Sequence, residues 1–212
     1  MKKFAAEFLG SYLLLNAIVG SGILITSLTD NQGVQLLVNA ISAVCMLAVI
    51  IPLFVHTSGS HFNPAVSIYS LLKKEISLSQ TCTYILAQVS GAILGTITAN
   101  LMFQEAAITI SETSRLENGT FLGEAIATSG LLLVIALAPL RAEKLVPIWI
   151  GSAYFFTSST SFANPAVTIG RIFTNTYAGI EPGSVIGFIA AQLLAILVIF
   201  FLAPTLKESI KR

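Results

Sequence analysis

The stretches SGSHFNPAVSI (residues 58–68) and SFANPAVTIGR (residues 161–171) write Asn-Pro-Ala-Val twice in one chain. Asn followed by Pro is a helix start. Asn is a preferred N-cap, and Pro suits the first helical position, where its missing N–H costs nothing. The apolar piece that follows each Asn is about ten residues long, whereas a helix needs roughly 20 to cross a hydrocarbon core. Each piece follows a run rich in Gly, Ser and Thr. The pattern predicts two short helices that enter a membrane and turn back, their irregular lead-in tolerated because it lines a cavity.

The rest of the chain supports the membrane reading. Its 212 residues are 55% hydrophobic and only 10% charged, with a mean hydropathy of +0.85. A soluble domain carries about a quarter charged residues, so the material for a solvated surface is missing. Six long apolar spans fall at approximately 5–27, 34–56, 80–103, 121–140, 145–160 and 184–205, joined by short polar links. The fold class expected is an all-α membrane bundle of six spans with two re-entrant half-helices. The N-terminus has Lys2 and Lys3 ahead of an apolar stretch, as a signal peptide would. Glu7 and Asn16 interrupt that stretch and no cleavage site follows, so it reads as the first span.

Several functions are disfavoured. A formal net charge of +1 argues against nucleic acid as a partner. Cys45 and Cys82 suggest neither a disulfide framework nor a metal site, and ordinary packing is expected of both. Neither a nucleophile–base constellation nor a metal-spaced cluster is present in the sequence, so no catalytic residue, cofactor or metal is expected. Asn118-Gly-Thr matches a glycosylation acceptor, a match discounted because the short chain looks bacterial.

Charge sets the orientation. With a cytoplasmic N-terminus, the inside carries Lys2, Lys3, Lys73, Lys74, Arg141, Lys144, Lys207, Lys211 and Arg212, and the outside only Arg115 and Arg171. That asymmetry follows the positive-inside rule and places both termini in the cytoplasm. The halves are also alike. Each has a membrane Glu early in its first span, Glu7 and Glu124, and an Asn-Pro-Ala-Val later. Three spans per half is an odd number, so the repeats, approximately 1–104 and 118–212 of a single domain, must be inserted with opposite orientation. Inverted repeats place a pathway at their shared interface. Two helix N-termini meeting there put two positive dipole ends together, and the Asn63 and Asn164 amides add donors. Such a gap favours a hydroxyl or water oxygen and penalises a cation.

The two boxes, Asn63-Pro64-Ala65 and Asn164-Pro165-Ala166, with the paired Glu residues and the segment GSHFNPAV, resemble the aquaporin, or major intrinsic protein, family over essentially the whole chain. The resemblance implies a homotetramer in the bilayer, each protomer with its own passive pore. It implies that Glu7 and Glu124 accept hydrogen bonds from the re-entrant loops. His61 resembles the family's loop histidine lining the inner pore, and His56 a second histidine on the cytoplasmic side; each reads equally well as a hydrogen-bonded loop residue.

One position departs from the family pattern. Most members carry Arg three residues after the second box's Asn, in the narrowest constriction; this chain has Val167. Counting from the boxes places the other filter positions at Ala43, Ser152 and Ser161, where water-selective members usually hold an aromatic ring and a His at the first two. Small residues and a lost charge predict a wide filter that passes uncharged solutes larger than water. Arg171, four residues on and about 6 Å further out on the same helical face, is expected near the outer mouth. SFANPAVTI, with Arg and YAGIEP beyond it, resembles a bacterial subgroup associated with arsenic resistance, which implies neutral or methylated arsenicals as cargo. The alternatives are a conventional water or glycerol facilitator, and a structural or adhesion protein with a vestigial pore.

Overall fold

The computed structural model describes all residues except 118, 211 and 212. The glycosylation match at Asn118 and the charges of Lys211 and Arg212 therefore lie outside the described residues. The described residues form eight α-helices in order: α1 Lys2–Leu28, α2 Gln32–Ser58, α3 Pro64–Leu72, α4 Leu78–Met102, α5 Thr120–Leu137, α6 Ala142–Phe156, α7 Pro165–Gly170 and α8 Pro182–Ile210. Single 3-10 turns, Pro139–Arg141 and Arg171–Phe173, precede α6 and follow α7.

Five helices, α1, α2, α4, α5 and α8, are long and apolar enough to cross a bilayer. The sixth expected span, 145–160, is shorter than read: α6 ends at Phe156 and carries Pro147 within it. At 1.5 Å per residue its 15 residues reach about 22 Å, and residues 157–164 continue the path without helix. Where helices begin, short polar side chains take the free N–H groups. Asn31 accepts from the Val34 amide at 3.1 Å and Ser77 from the Gln80 amide at 3.2 Å. At the other end of α2, Gly59 takes φ +90°, a left-handed conformation that stops the helix without a Cβ clash.

Helix α1 lies along α4 and α2, and α5 lies along α8 and α6. The two short helices cross between these groups: α3 also touches α8, and α7 touches α4 and α1. The start of α1 and the last turns of α8 share one face, here the terminal face, since Met1–Lys3 border Ser77 and Lys207 borders Lys73. The opposite face, here the far face, carries residues 103–117, an irregular strap that is neither short nor merely a link. Its Ser111 amide donates to Ile172 O at 2.9 Å, and Thr113 O accepts from the Glu181 amide at 2.8 Å. Large apolar side chains such as Leu53, Leu86 and Phe201 point outward, as lipid contact allows. Cys45 and Cys82 are free and exposed on the helix surfaces, not packed inside as expected.

The α1–α4 seam is built on small residues. A Cβ on Gly91 would lie 2.3 Å from Phe8 O, and one on Gly95 2.3 Å from Tyr12 O. Close backbone approach of this kind is how helices associate where lipid removes the hydrophobic drive. Gly95→Val is therefore expected to force the two helices apart at a cost of roughly 1–3 kcal/mol. Melting of the purified protein in detergent should fall by several degrees, and an unchanged melting temperature would show that the seam yields freely.

Candidate functional site

The two Asn-Pro stretches fold alike. Asn63 and Asn164 both have extended backbone, at φ −155° and −159°, with Pro at the first helical position of α3 and α7. Each caps its own helix: Asn63 Oδ1 accepts from the Ala65 amide at 2.8 Å, and Asn164 Oδ1 from the Ala166 amide at 2.9 Å. The residues three and one before each Asn take left-handed backbone, Ser60 and Phe62 in the first copy, Ser161 and Ala163 in the second. Such conformations cost free energy in non-glycine residues and persist only where neighbours hold them.

Those neighbours are the buried carboxyl groups. Glu7, fully buried in α1, accepts from four donors. These are Ser58 Oγ at 2.5 Å, the His61 amide at 3.0 Å, the Phe62 amide at 2.7 Å and Gln88 Nε2 at 2.7 Å. Glu124, fully buried in α5, accepts from the Ala163 amide at 2.5 Å and Gln192 Nε2 at 2.6 Å. The glutamines repeat the pattern: Gln88 also reaches Ser67 Oγ and Gln192 reaches Thr168 Oγ1, both at 3.0 Å. The sequence shows the Glu pair more readily than Gln88 and Gln192, although Gln192 is the single amide of α8 and Gln88 lies mid-way along α4.

The two copies also hold each other. Asn63 Nδ2 donates to Ala163 O at 2.7 Å, and Asn164 Nδ2 donates to Phe62 O at 2.8 Å. A side-chain amide has two N–H donors, so each Asn keeps one for another partner. Pro64, Ala65, Pro165 and Ala166 are buried beside this junction.

A cavity of about 460 Å³ passes the junction. At the terminal face its walls include His56, Glu75 and Glu143; at the centre, Asn63 and Asn164; towards the far face, Tyr154, Val167 and Arg171. His61 lines it too, its Nδ1 3.0 Å from Ser67 Oγ and its ring edge-on to Tyr84. His56 is exposed at the mouth. The carbonyls of Gly59, Ser60 and His61, three residues that line the cavity, accept no hydrogen bond from the described residues.

Of the filter positions counted from the boxes, Ala43, Ser161 and Val167 line this cavity. Ser152 does not: it is exposed on the outer surface of α6. The inward stripe of that helix is Ala142, Val146, Ile150 and Tyr154, spaced four apart. Ser152 lies about 200° around the helix from Ile150 and from Tyr154, hence on the far side. A bulky phenol, not a small serine, therefore occupies this wall.

Arg171 is buried at 3% exposure, with its Nε donating to Ala178 O and its Cζ 3.6 Å from the Phe162 ring centroid. It is thus both a carbonyl-bound residue and a cavity-lining one. Arg115 from the strap, a charge outside every motif in the sequence, approaches the same ring, its Cζ 5.6 Å from the centroid. Burial pulls the Arg115 guanidinium down from its usual range.

Residues 1–162 match the family model described as major intrinsic protein, which covers the first box and stops just short of the second. The chain belongs to the major intrinsic protein family. Among its relatives is the aquaglyceroporin AqpS of Rhizobium meliloti (strain 1021), 42% identical over 91% of this chain and 84% of that one. Nodulin-26 of Glycine max is 31% identical over 85% of this chain and 70% of that protein. The X-ray structure of the aquaglyceroporin from Plasmodium falciparum superposes with a TM-score of 0.70 over 98% of both chains at 22% identity, a likeness of fold. This major intrinsic protein is therefore a multi-pass membrane channel for small neutral solutes and not an enzyme.

Proposed function

We propose that this channel passes small uncharged, polyol-like solutes larger than water, with neutral or methylated arsenicals as favoured cargo. The observation that carries the reading is Val167: the wall where the family resemblance implies a fixed guanidinium is apolar here, with Ala43 and Ser161 on the same cavity. Arsenous acid is a neutral trihydroxy species at neutral pH and resembles a small polyol. The free carbonyls of residues 59–61 accept from such hydroxyls, and the spare amide donors of Asn63 and Asn164 donate to them. The paired N-termini of α3 and α7 oppose cations at the same point.

In this reading the chain is one channel unit of two inverted repeats, 1–104 and 118–212. The matched bonds of Glu7 with Gln88 and of Glu124 with Gln192 support that division. The unit assembles as a homotetramer in a bacterial plasma membrane, with the terminal face cytoplasmic because Lys2, Lys3, Lys73, Lys74 and Lys207 lie there. A second reading, a narrower facilitator for water and glycerol, is favoured by Tyr154, which fills a wall that the sequence left open.

Stopped-flow light scattering on proteoliposomes separates the two. Arsenous acid and glycerol entering at least about tenfold faster than into empty vesicles is the expected result. Fast water and glycerol flux with no arsenous acid entering would favour the narrow facilitator, and no flux of any kind would leave only a structural role.

A further inference from the structure

The loss of Arg at Val167 removes a fixed positive charge from the channel, yet two guanidiniums stand just beyond it. Arg171 follows α7 four residues after Val167, about one helical turn towards the far face. Arg115 arrives from the strap. Both are anchored by consecutive carbonyls of one loop: Arg115 Nε donates to Gly179 O at 2.6 Å and its Nη2 to Tyr177 O at 2.7 Å, while Arg171 Nε donates to Ala178 O. Both converge on the ring of Phe162. Neither meets a carboxylate, because the sole ion pair among the described residues is Lys73–Glu75 at the terminal face. Carbonyl dipoles and the face of Phe162 lie directly against them. The Nη atoms of Arg171 donate to none of the described residues, and the side chain lines the cavity, so those donors face the permeation path.

We propose that Arg171 is a displaced cationic filter residue, held in place by the Tyr177–Gly179 loop that Arg115 positions, and that it restores the cation and proton barrier missing at Val167. This rests on the channel reading above. A neutral solute passes Arg171 as a hydrogen-bond donor. A cation meets a guanidinium that has no ion-pair partner among the described residues, in a partly dehydrated passage where Coulomb repulsion is several times stronger than in water. The wide wall at Val167 and the barrier at Arg171 are thus separate functions on successive turns.

The test is ion permeability of proteoliposomes, followed with an entrapped pH dye and with potassium and chloride gradients. Wild type is expected to leak no more protons or potassium than empty vesicles. Arg171→Leu raises both leaks at least about tenfold, while Arg171→Lys, which keeps the charge, stays tight. Arg115→Leu, which loosens the loop and removes the second charge, gives a smaller rise. Equal leaks from the Leu and Lys variants, whether high or low, would overturn the proposal, since the charge would then not matter. If Arg171→Leu yields no monodisperse protein, Arg171→Gln, which keeps a side-chain donor but no charge, takes its place with the same expected rise, and a Gln variant as tight as Arg171→Lys sinks the idea. Failure of wild type to pass arsenous acid or glycerol would count against the solute reading and leave the ion result standing.

Discussion

Glu124→Leu is expected to yield almost no folded channel, whereas Glu124→Gln keeps the fold. Glu124 is fully buried, and its Oε1 takes both the Ala163 amide at 2.5 Å and the Gln192 amide at 2.6 Å. Leucine fits the space and suits the bilayer, so hydropathy alone would predict a neutral change. The cost lies in the partners left behind. Two donors lose their acceptor where no water replaces it, at about 1–3 kcal/mol each. Ala163 also holds left-handed backbone at φ 46° that the same bond supports. Its carbonyl is the acceptor for Asn63, so release of the second loop also unlocks the first. Against a typical total stability of roughly 5–15 kcal/mol, a loss of that size removes much of the margin. Gln still offers an acceptor oxygen to at least one donor. Size-exclusion profiles and melting curves in detergent would check the pair; a Leu variant melting within about 2 °C of wild type would show that the loop holds itself.

That network was half legible in the sequence. Two Glu residues in apolar helices are visible because a charge in a membrane demands a partner, and the doubled Asn-Pro announces its own caps. Gln88 and Gln192 carry no charge and drew no such demand. The filter was harder for a different reason. In a soluble helix the polar face marks the outside, but AEKLVPIWIGSAYFF in α6 is apolar almost all round beyond its first turn. Counting back twelve residues from Asn164 gave Ser152, which requires the non-helical stretch 157–163 to preserve the rotational phase of the helix before it. It does not, and Tyr154 faces inward instead. Arg115 was invisible because only the folded path of the strap brings it to Phe162, with no periodic pattern to announce it.

Val167→Arg is expected to cut glycerol and arsenous acid entry by about tenfold or more, equivalent to ~1.4 kcal/mol or more of added barrier, while water entry falls less. The substitution puts a long charged side chain into a wall of a cavity of only about 460 Å³, where Ala43 and Ser161 now leave room. Tyr154→Ala should act in the opposite direction, because it opens the wall where a serine had been expected. The two variants together identify which residue sets the size limit. Unchanged solute entry in Val167→Arg would sink the wide-wall reading. There is also a stability consequence. An Arg at 167 stands four residues from Arg171 on one helical face, and like charges at that spacing repel. No carboxylate is paired with Arg171 to relieve them. Val167→Arg alone should therefore melt lower than wild type, and the double variant Val167→Arg with Arg171→Leu should recover part of the loss. Recovery would mean that this stretch of wall accommodates one guanidinium, at 167 or at 171. Strictly additive losses from the two substitutions would mean that the charges do not sense each other, and that Arg171 lies too far from the pore wall at 167 to stand in for the missing residue.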